Sequence, residues 1–348
     1  MRIQIILLAV ILLQSCVDKK SSSNKNDIVE VAQFKGQQVT GVSVNNTGRV
    51  FANFPRWREG VANSVIEIST DGKSISYPNK EWNNWSIGDS ISDSVFVAVQ
   101  SVVVHKDDLY VLDTRNPLFA GVKGAPRLFV FDLNTNSLKD IHVLSAQSYK
   151  PNSYINDLRI DDTTNCIYMT DSGESGLVVY NLSTKKSFRV LDNHYSTKAE
   201  ADHLTINGVK WNNTVHSDGI ALNSKTNRLY YHCLTGYNLY SVSTELITNG
   251  NKEQIEADVK MVIKTAAPDG MIFDDKGNLY FADLENNKIQ YLTPNGKINT
   301  LCEGEKIKWA DTFSIFNGYL YFTNSRINET QNGVSDLMFS INKIKLED

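Results

Sequence analysis

A strand–turn–strand unit recurs six times in this chain, and no other feature restricts the fold as tightly. The copies are residues 40–54 (TGVSVNNTGRVFANF), 100–113 (QSVVVHKDDLYVLD), 156–171 (NDLRIDDTTNCIYMTD), 218–233 (DGIALNSKTNRLYYHC), 269–283 (DGMIFDDKGNLYFAD) and 311–324 (DTFSIFNGYLYFTN), opening 42 to 62 residues apart. Each opens on a polar residue, runs through a short apolar strand and turns on Asn, Asp, Gly or Lys. Each returns through a strand centred on Leu, Val or Ile beside Tyr or Phe. Such alternation around such turns predicts β-hairpins.

Further strands fill the gaps. Residues 127–133 (RLFVFDL) and 176–182 (GLVVYNL) are each followed by a turn and another strand, 139–144 and 187–191, and residues 64–69, 238–242 and 288–292 hold the same place in other copies. Four strands per unit and six units predict an all-β chain folded as a six-bladed β-propeller. A closed ring also removes the exposed edges that repeated antiparallel sheets otherwise present. The last unit has a hairpin and residues 336–341 (DLMFSI) but no clear fourth strand. Residues 28–34 (IVEVAQF) are free to supply it, so that an N-terminal strand joins the last blade and closes the ring. No linker divides residues 28–348, which read as a single domain. A composition of 41% hydrophobic and 21% charged residues with net charge −4 excludes a disordered tail, a multi-span membrane protein and an electrostatic footprint for nucleic acid.

The N-terminus lies outside the repeats. An apolar run over residues 3–13, broken only by Gln4, is too short to span a bilayer and suits a signal peptide. It ends in Leu13-Gln14-Ser15-Cys16, which resembles the lipobox of bacterial lipoproteins. The expectation is a signal peptide over 1–15, a lipidated Cys16 and a polar tether over 16–27. A plain signal peptide with a cysteine there by chance is the alternative. The chain is then lipid-anchored in a bacterial cell envelope, outside the cytoplasm; Val17 after the cysteine favours the outer membrane where there are two. Cys166, Cys233 and Cys302 fit no metal or disulfide spacing, and the pairing of Cys166 with Cys302 stays open.

The residue opening each unit starts an innermost strand, so Thr40, Gln100, Asn156, Asp218, Asp269 and Asp311 are expected to converge at one mouth of the channel. The residues ending the second strands, Phe54, Asp113, Asp171, Cys233, Asp283 and Asn324, form a second ring further out. Clustered carboxylates suit Ca²⁺ or another divalent cation, or a ligand amine; single aspartates before strands also cap turns. Asp113, Asp171 and Asp283 read as turn residues. His194, His203 and His216 fall in a long insertion, residues 192–217, and read as loop residues. Ser172 has no GxSxG context. Phe54-Pro55-Arg56-Trp57 either lines a ligand pocket or fixes a loop by stacking Arg on Trp.

The wording of several segments resembles the major royal jelly protein / Yellow family: Phe54-Pro55-Arg56-Trp57-Arg58 with Gly60-Val61, Tyr77-Pro78-Asn79 with Glu81-Trp82-Asn83, Asn156-Asp157, Asp171 with the following GLVVY, and LYYH before Val242-Ser243-Thr244. Bacterial members are described as L-dopachrome tautomerase-related. The resemblance runs from residue 40 to 324 and implies a secreted six-bladed propeller whose central pocket binds small amines or other ligands in some members. A more distant resemblance is to gluconolactonase / senescence-marker-protein lactonases. Pro268-Asp269-Gly270 matches a step of their metal site and Asn156-Asp157 the Asn-Asp step near their substrate, while Asp218-Gly219 stands where Asn-Gly would and the N-terminal Glu is missing, Thr40 opening that repeat instead.

The expected function is binding of a small molecule at the channel mouth. Its ligand set is Phe54, Gln100, Asn156, Asp218, Asp269, Asp311 and Asn324, and any divalent cation is held by Asn156, Asp218 and Asp269. The alternatives are a metal-dependent lactone or ester hydrolase, a dopachrome-type tautomerase, and a protein-interaction scaffold. The expected partners are the small ligand and, through Cys16, the membrane; the chain is expected to be a monomer and not to bind nucleic acid.

Overall fold

The computed structural model of the chain describes residues 27–346. The expected signal peptide, Cys16 and the expected tether up to residue 26 lie outside them. The predicted hairpins form, and each belongs to a four-stranded antiparallel sheet. Blade 1 runs outward through Gly41–Val44, Val50–Asn53, Val65–Ile68 and Ser74–Ser76. Blade 2 comprises Val99–His105, Asp108–Asp113, Arg127–Asp132 and Ser137–Val143. Blade 3 comprises Ile155–Asp161, Cys166–Asp171, Gly176–Asn181 and Lys186–Val190. Blade 4 comprises Ser217–Asn223, Arg228–Cys233, Asn238–Ser243 and Lys260–Lys264. Blade 5 comprises Met271–Phe273, Leu279–Asp283, Lys288–Leu292 and Ile298–Glu303. Blade 6 begins with Ala310–Phe316, Tyr319–Asn324 and Met338–Lys345; its outermost strand is Val29–Lys35, paired antiparallel with Met338–Lys345.

Each innermost strand touches those of the blades before and after it, and the first touches the last. The six-bladed propeller is therefore a closed ring. Its core is divided: six apolar clusters each join one pair of adjacent blades. Between blades 2 and 3, for example, Leu112, Leu128 and Val130 meet Leu158, Ile167 and Met169. The turns follow their residues. Asn317 and Gly318, both at positive φ, form the two-residue turn that right-twisted hairpins favour.

Two features were not anticipated. Short helices, Thr244–Asn249 and Lys252–Asp258, interrupt blade 4 before its last strand, N-capped by Ser243 and Asn251. Within the 192–217 insertion, Leu204–Ile206 pairs with Val209–Trp211 around a turn at Asn207-Gly208. Cys166, Cys233 and Cys302 are all free thiols.

The inner ends of the blades carry the structural detail on which the site rests. In blades 2, 3, 4 and 6 the innermost strand slips register against its neighbour at its first residues: between Val99 and Ser101, Ile155 and Leu158, Ser217 and Ile220, and Ala310 and Phe313. Such irregularities bend a strand and re-aim its side chains. The residues inside them are Gln100, Asn156-Asp157, Asp218-Gly219 and Asp311-Thr312. Glycine follows aspartate in blades 4 and 5 because the neighbouring backbone leaves no room. A Cβ on Gly219 would lie 2.2 Å from the Asp269 carbonyl oxygen, and one on Gly270 would lie 2.5 Å from that of Asp311. The Gly270 N–H itself donates to the Asp311 carbonyl at 2.7 Å.

Replacing Gly270 by Ala is therefore expected to destabilise the fold by about 1–3 kcal/mol, as overpacked positions do. Denaturant midpoints measure it; an unchanged midpoint would mean that the two strands can part without cost.

Candidate functional site

Five of the six residues that open the repeats line one cavity of 520 Å³ at the channel mouth: Gln100, Asn156, Asp218, Asp269 and Asp311. The sixth, Thr40, is buried beside it, where its carbonyl accepts from the Thr323 hydroxyl at 2.8 Å and its hydroxyl accepts from Asn53 Nδ2 at 3.1 Å. Two other anticipated ligands do not reach the cavity. Phe54 packs edge-on against Phe34 at 5.0 Å in the core between blades 6 and 1. Asn324 accepts from the Lys308 N–H and donates to the Lys306 carbonyl, so it fixes a loop. Apolar packing claims the first, and unpaired loop backbone claims the second.

The outer ring of aspartates does what turn residues do. Asp113 accepts from the N–H groups of Val97, Ala98 and Arg115. Asp171 accepts from the N–H groups of Tyr154 and Glu174 and from Arg189 Nη1. Asp283 accepts from Asn286. Ser172 lies on the cavity wall, but its hydroxyl donates to the Tyr154 carbonyl and meets no base. No histidine lines the cavity among the described residues.

The cavity's walls are aromatic. Trp57, Phe119 and Tyr154 form a stack, with centroids 5.8 Å apart for the first pair and 4.8 Å for the second. Leu118 and Phe119 both hold positive φ, a conformation that bulky residues adopt only under constraint. The hairpin in the 192–217 insertion adds Trp211, with Asn213, Thr214 and Val215 behind it. Within the FPRWR segment the roles divide. Trp57 and Arg58 face the cavity. Arg56 is buried, lies 5.5 Å over the Trp85 ring and donates to the carbonyls of Val61 and Asn83, so it fixes the loop.

Hydrogen bonds set the amides. Trp57 Nε1 donates to Tyr154 Oη, Tyr154 Oη to Gln100 Oε1 at 2.6 Å, and Gln100 Nε2 to Asn156 Oδ1 at 2.6 Å. This relay crosses from blade 1 to blade 3 and leaves neither amide free to flip. The hydroxyl of Tyr154 is held well above the usual phenol range by burial.

The floor is made of carboxylates. Asp218, Asp269 and Asp311 are 4%, 5% and 7% exposed. Asp218 is raised well above the carboxylate range by burial and then by the charges of Asp269 and Asp311. Asp311 is raised likewise by burial and by Asp269, against hydrogen bonds from Ser325 and Thr312. Asp269 is raised less, to about 6, because Trp309 Nε1 donates to it at 2.7 Å and Asp218 shares a proton with it. Burial wins over hydrogen bonding at all three. A fourth acid, Asp157, is neutralised by Arg159 at 2.9 Å. Among the described residues no group of three or more His, Cys, Asp or Glu side chains is arranged to hold a metal ion. The Asn156 oxygen is already engaged by Gln100.

The profile of the major royal jelly proteins matches residues 97–344. Major royal jelly protein 3 of Apis mellifera is 26% identical over 262 residues, covering 68% of this chain and 48% of that one. Dopaminechrome tautomerase of Drosophila melanogaster is 24% identical over 230 residues, covering 60% of this chain and 48% of its own. The chain thus spans about half the length of these relatives. In fold it is similar to a gluconolactonase from Xanthomonas campestris, with a TM-score of 0.54 at 12% identity over 91% of this chain and 90% of that one.

Carboxyls raised in the folded state bind more protons there than in the unfolded chain, so stability falls as pH rises from about 4 through about 6. Asp218→Asn mimics the protonated partner of Asp269. It is expected to match the wild type at low pH and to exceed it in denaturant midpoint above about 6. Parallel pH profiles for the two proteins would refute the shared-proton arrangement.

Proposed function

The chain belongs to the major royal jelly protein family, and on that premise we propose that it is a Yellow-type propeller that binds a small aromatic amine at the mouth of its channel. One observation carries the reading: three carboxyls are buried on the floor of an aromatic-walled cavity, and among the described residues none of them is ion-paired to a cation. Like charges out of water are costly without a counter-ion. A protonated amine supplies that charge, and its ring stacks against Trp57, Phe119 and Tyr154. Because burial favours the neutral forms of Asp218 and Asp311, binding an ammonium would favour their charged forms and drive proton release.

The sequence supports the cellular setting. The apolar run ending in Leu13-Gln14-Ser15-Cys16 supports a setting outside the cytoplasm, with the propeller tethered by a lipid on Cys16. Labelling cells with a radioactive fatty acid is expected to mark the wild type and not Cys16→Ser; equal labelling would refute the anchor.

A second reading uses the same floor for catalysis. The proton shared by Asp218 and Asp269 suits an acid–base pair that moves a proton in a tautomerisation, and Asp269 near 6 is poised for it. A divalent cation such as Ca²⁺ is the third occupant to consider. Asn156, Asp218 and Asp269 would be the residues to hold it, once the Asn156 oxygen is released from Gln100, and the chemistry it would supply is polarisation of a lactone or ester carbonyl.

Calorimetric titration with tyramine separates these readings. Affinity is expected to rise with pH through about 6, with a heat that depends on the buffer as protons leave. Asp218→Asn/Asp269→Asn is expected to weaken it about tenfold or more, the value of a charge-assisted contact. Unchanged affinity in the double variant would remove the carboxylates from the site. Turnover of dopachrome that fades below about pH 6 would favour the tautomerase. Stoichiometric Ca²⁺ in native mass spectra, lost with Asp218→Ala, would favour the hydrolase.

A further inference from the structure

Resting on the amine-binding reading, we propose that the ligand also carries a carboxylate, and that Arg58 at the cavity rim recognises it, so that the preferred class is an aromatic α-amino acid or a derivative that keeps its acid. Arg58 is the one basic side chain among the residues lining the cavity. Its hydrogen-bond partner among the described residues is neutral: Nη1 donates to Gln38 Oε1 at 2.6 Å. The other arginines around the ring are differently placed. Arg159 pairs with Asp157, Arg189 with Asp171 and Asp192, and Arg326 with Glu329. Arg58 is half-buried and its guanidinium is shifted down from its ordinary range by burial, with no acid opposing the shift.

The placement of Arg58 is built rather than incidental. Gln38 is 4% exposed and holds the guanidinium with its oxygen while its Nε2 donates to the Ser325 carbonyl at 2.7 Å. The Ser325 hydroxyl donates in turn to the carbonyl of Trp309, whose ring N–H holds Asp269. Arg58 is thus fixed from behind by buried polar groups and, among the described residues, forms no ion pair with the floor acids. The cavity therefore presents a negative floor, an aromatic wall and a positive rim. A zwitterion with a ring matches that order of charges, whereas a simple amine leaves the guanidinium without an anion. A guanidinium meets a carboxylate through two parallel hydrogen bonds, which a lysine ammonium does not reproduce.

The test is calorimetry at neutral pH with L-tyrosine, tyramine and 3-(4-hydroxyphenyl)propionate on the wild type, Arg58→Gln and Arg58→Lys. The wild type is expected to bind tyrosine at least about tenfold more tightly than tyramine, and the propionate most weakly. Arg58→Gln is expected to abolish the preference for tyrosine while tyramine affinity stays within about twofold, which also shows that the variant is folded. Arg58→Lys should fall between the two. Tyramine binding as tightly as tyrosine to the wild type, or Arg58→Gln weakening both equally, would overturn the role of Arg58 and leave amine binding standing. Failure of both tyramine and tyrosine to bind would overturn the two readings together.

Discussion

Six inner strands must meet around one axis, and the closeness of that meeting governs the rest of the molecule. Adjacent blades approach until the backbone of one stands where the side chain of the next would begin, as at Gly219 and Gly270. Hydroxyls and amides from the second strands complete the contact. Thr170 donates to the Asp218 carbonyl at 2.6 Å and Asn53 to the Gln100 carbonyl at 2.9 Å. With backbone filling the spaces between blades, the register slips at the strand starts turn the opening side chains toward the axis. Convergence of polar groups at the mouth follows from the packing of the ring.

That convergence sets the electrostatics. Three buried carboxyls lie close together with no ion pair to a cation among the described residues, and hydrogen bonding from Trp309, Ser325 and Thr312 offsets only part of the burial. The fold tolerates this because protons take the place of a counter-ion. Acids whose neutral forms are favoured in this way are, on the proposed reading, the ones a bound cation would return to their charged forms. On the same reading the aromatic stack would select which cation, and the rim what else that molecule carries.

The repeat made the ring legible. Hairpin turns and strand periodicity are local signals, and each unit repeats them, so blade number and the opening residues were readable by alignment alone. Gln100, Asn156, Asp218, Asp269 and Asp311 were found that way. The aromatic wall was not, because Phe119, Tyr154 and Trp211 come from connections whose lengths and courses differ in every blade. Tyr154 lies only two residues before Asn156, but its side chain reaches the cavity through contacts with Trp57 and Phe119 from other blades. Phe54 misled because the alignment ran one residue too far: Asn53 ends the second strand of blade 1, and Phe54 follows it as an apolar ring packed against Phe34. The helices before the last strand of blade 4 carry cap signals at Ser243 and Asn251 that a strand-based alignment passes over.

The last blade is sewn from both ends of the domain, Val29–Lys35 lying against Met338–Lys345. Its third and fourth strands are therefore separated by nearly the whole chain. The first-made strand has no pairing partner until the final one is delivered, so although Phe34 can meet Phe54 early, the strand's edge waits through the synthesis of five blades. Whatever machinery delivers this polypeptide must guard an open arc, and a product stopped short of its final strand keeps a raw edge on which to aggregate.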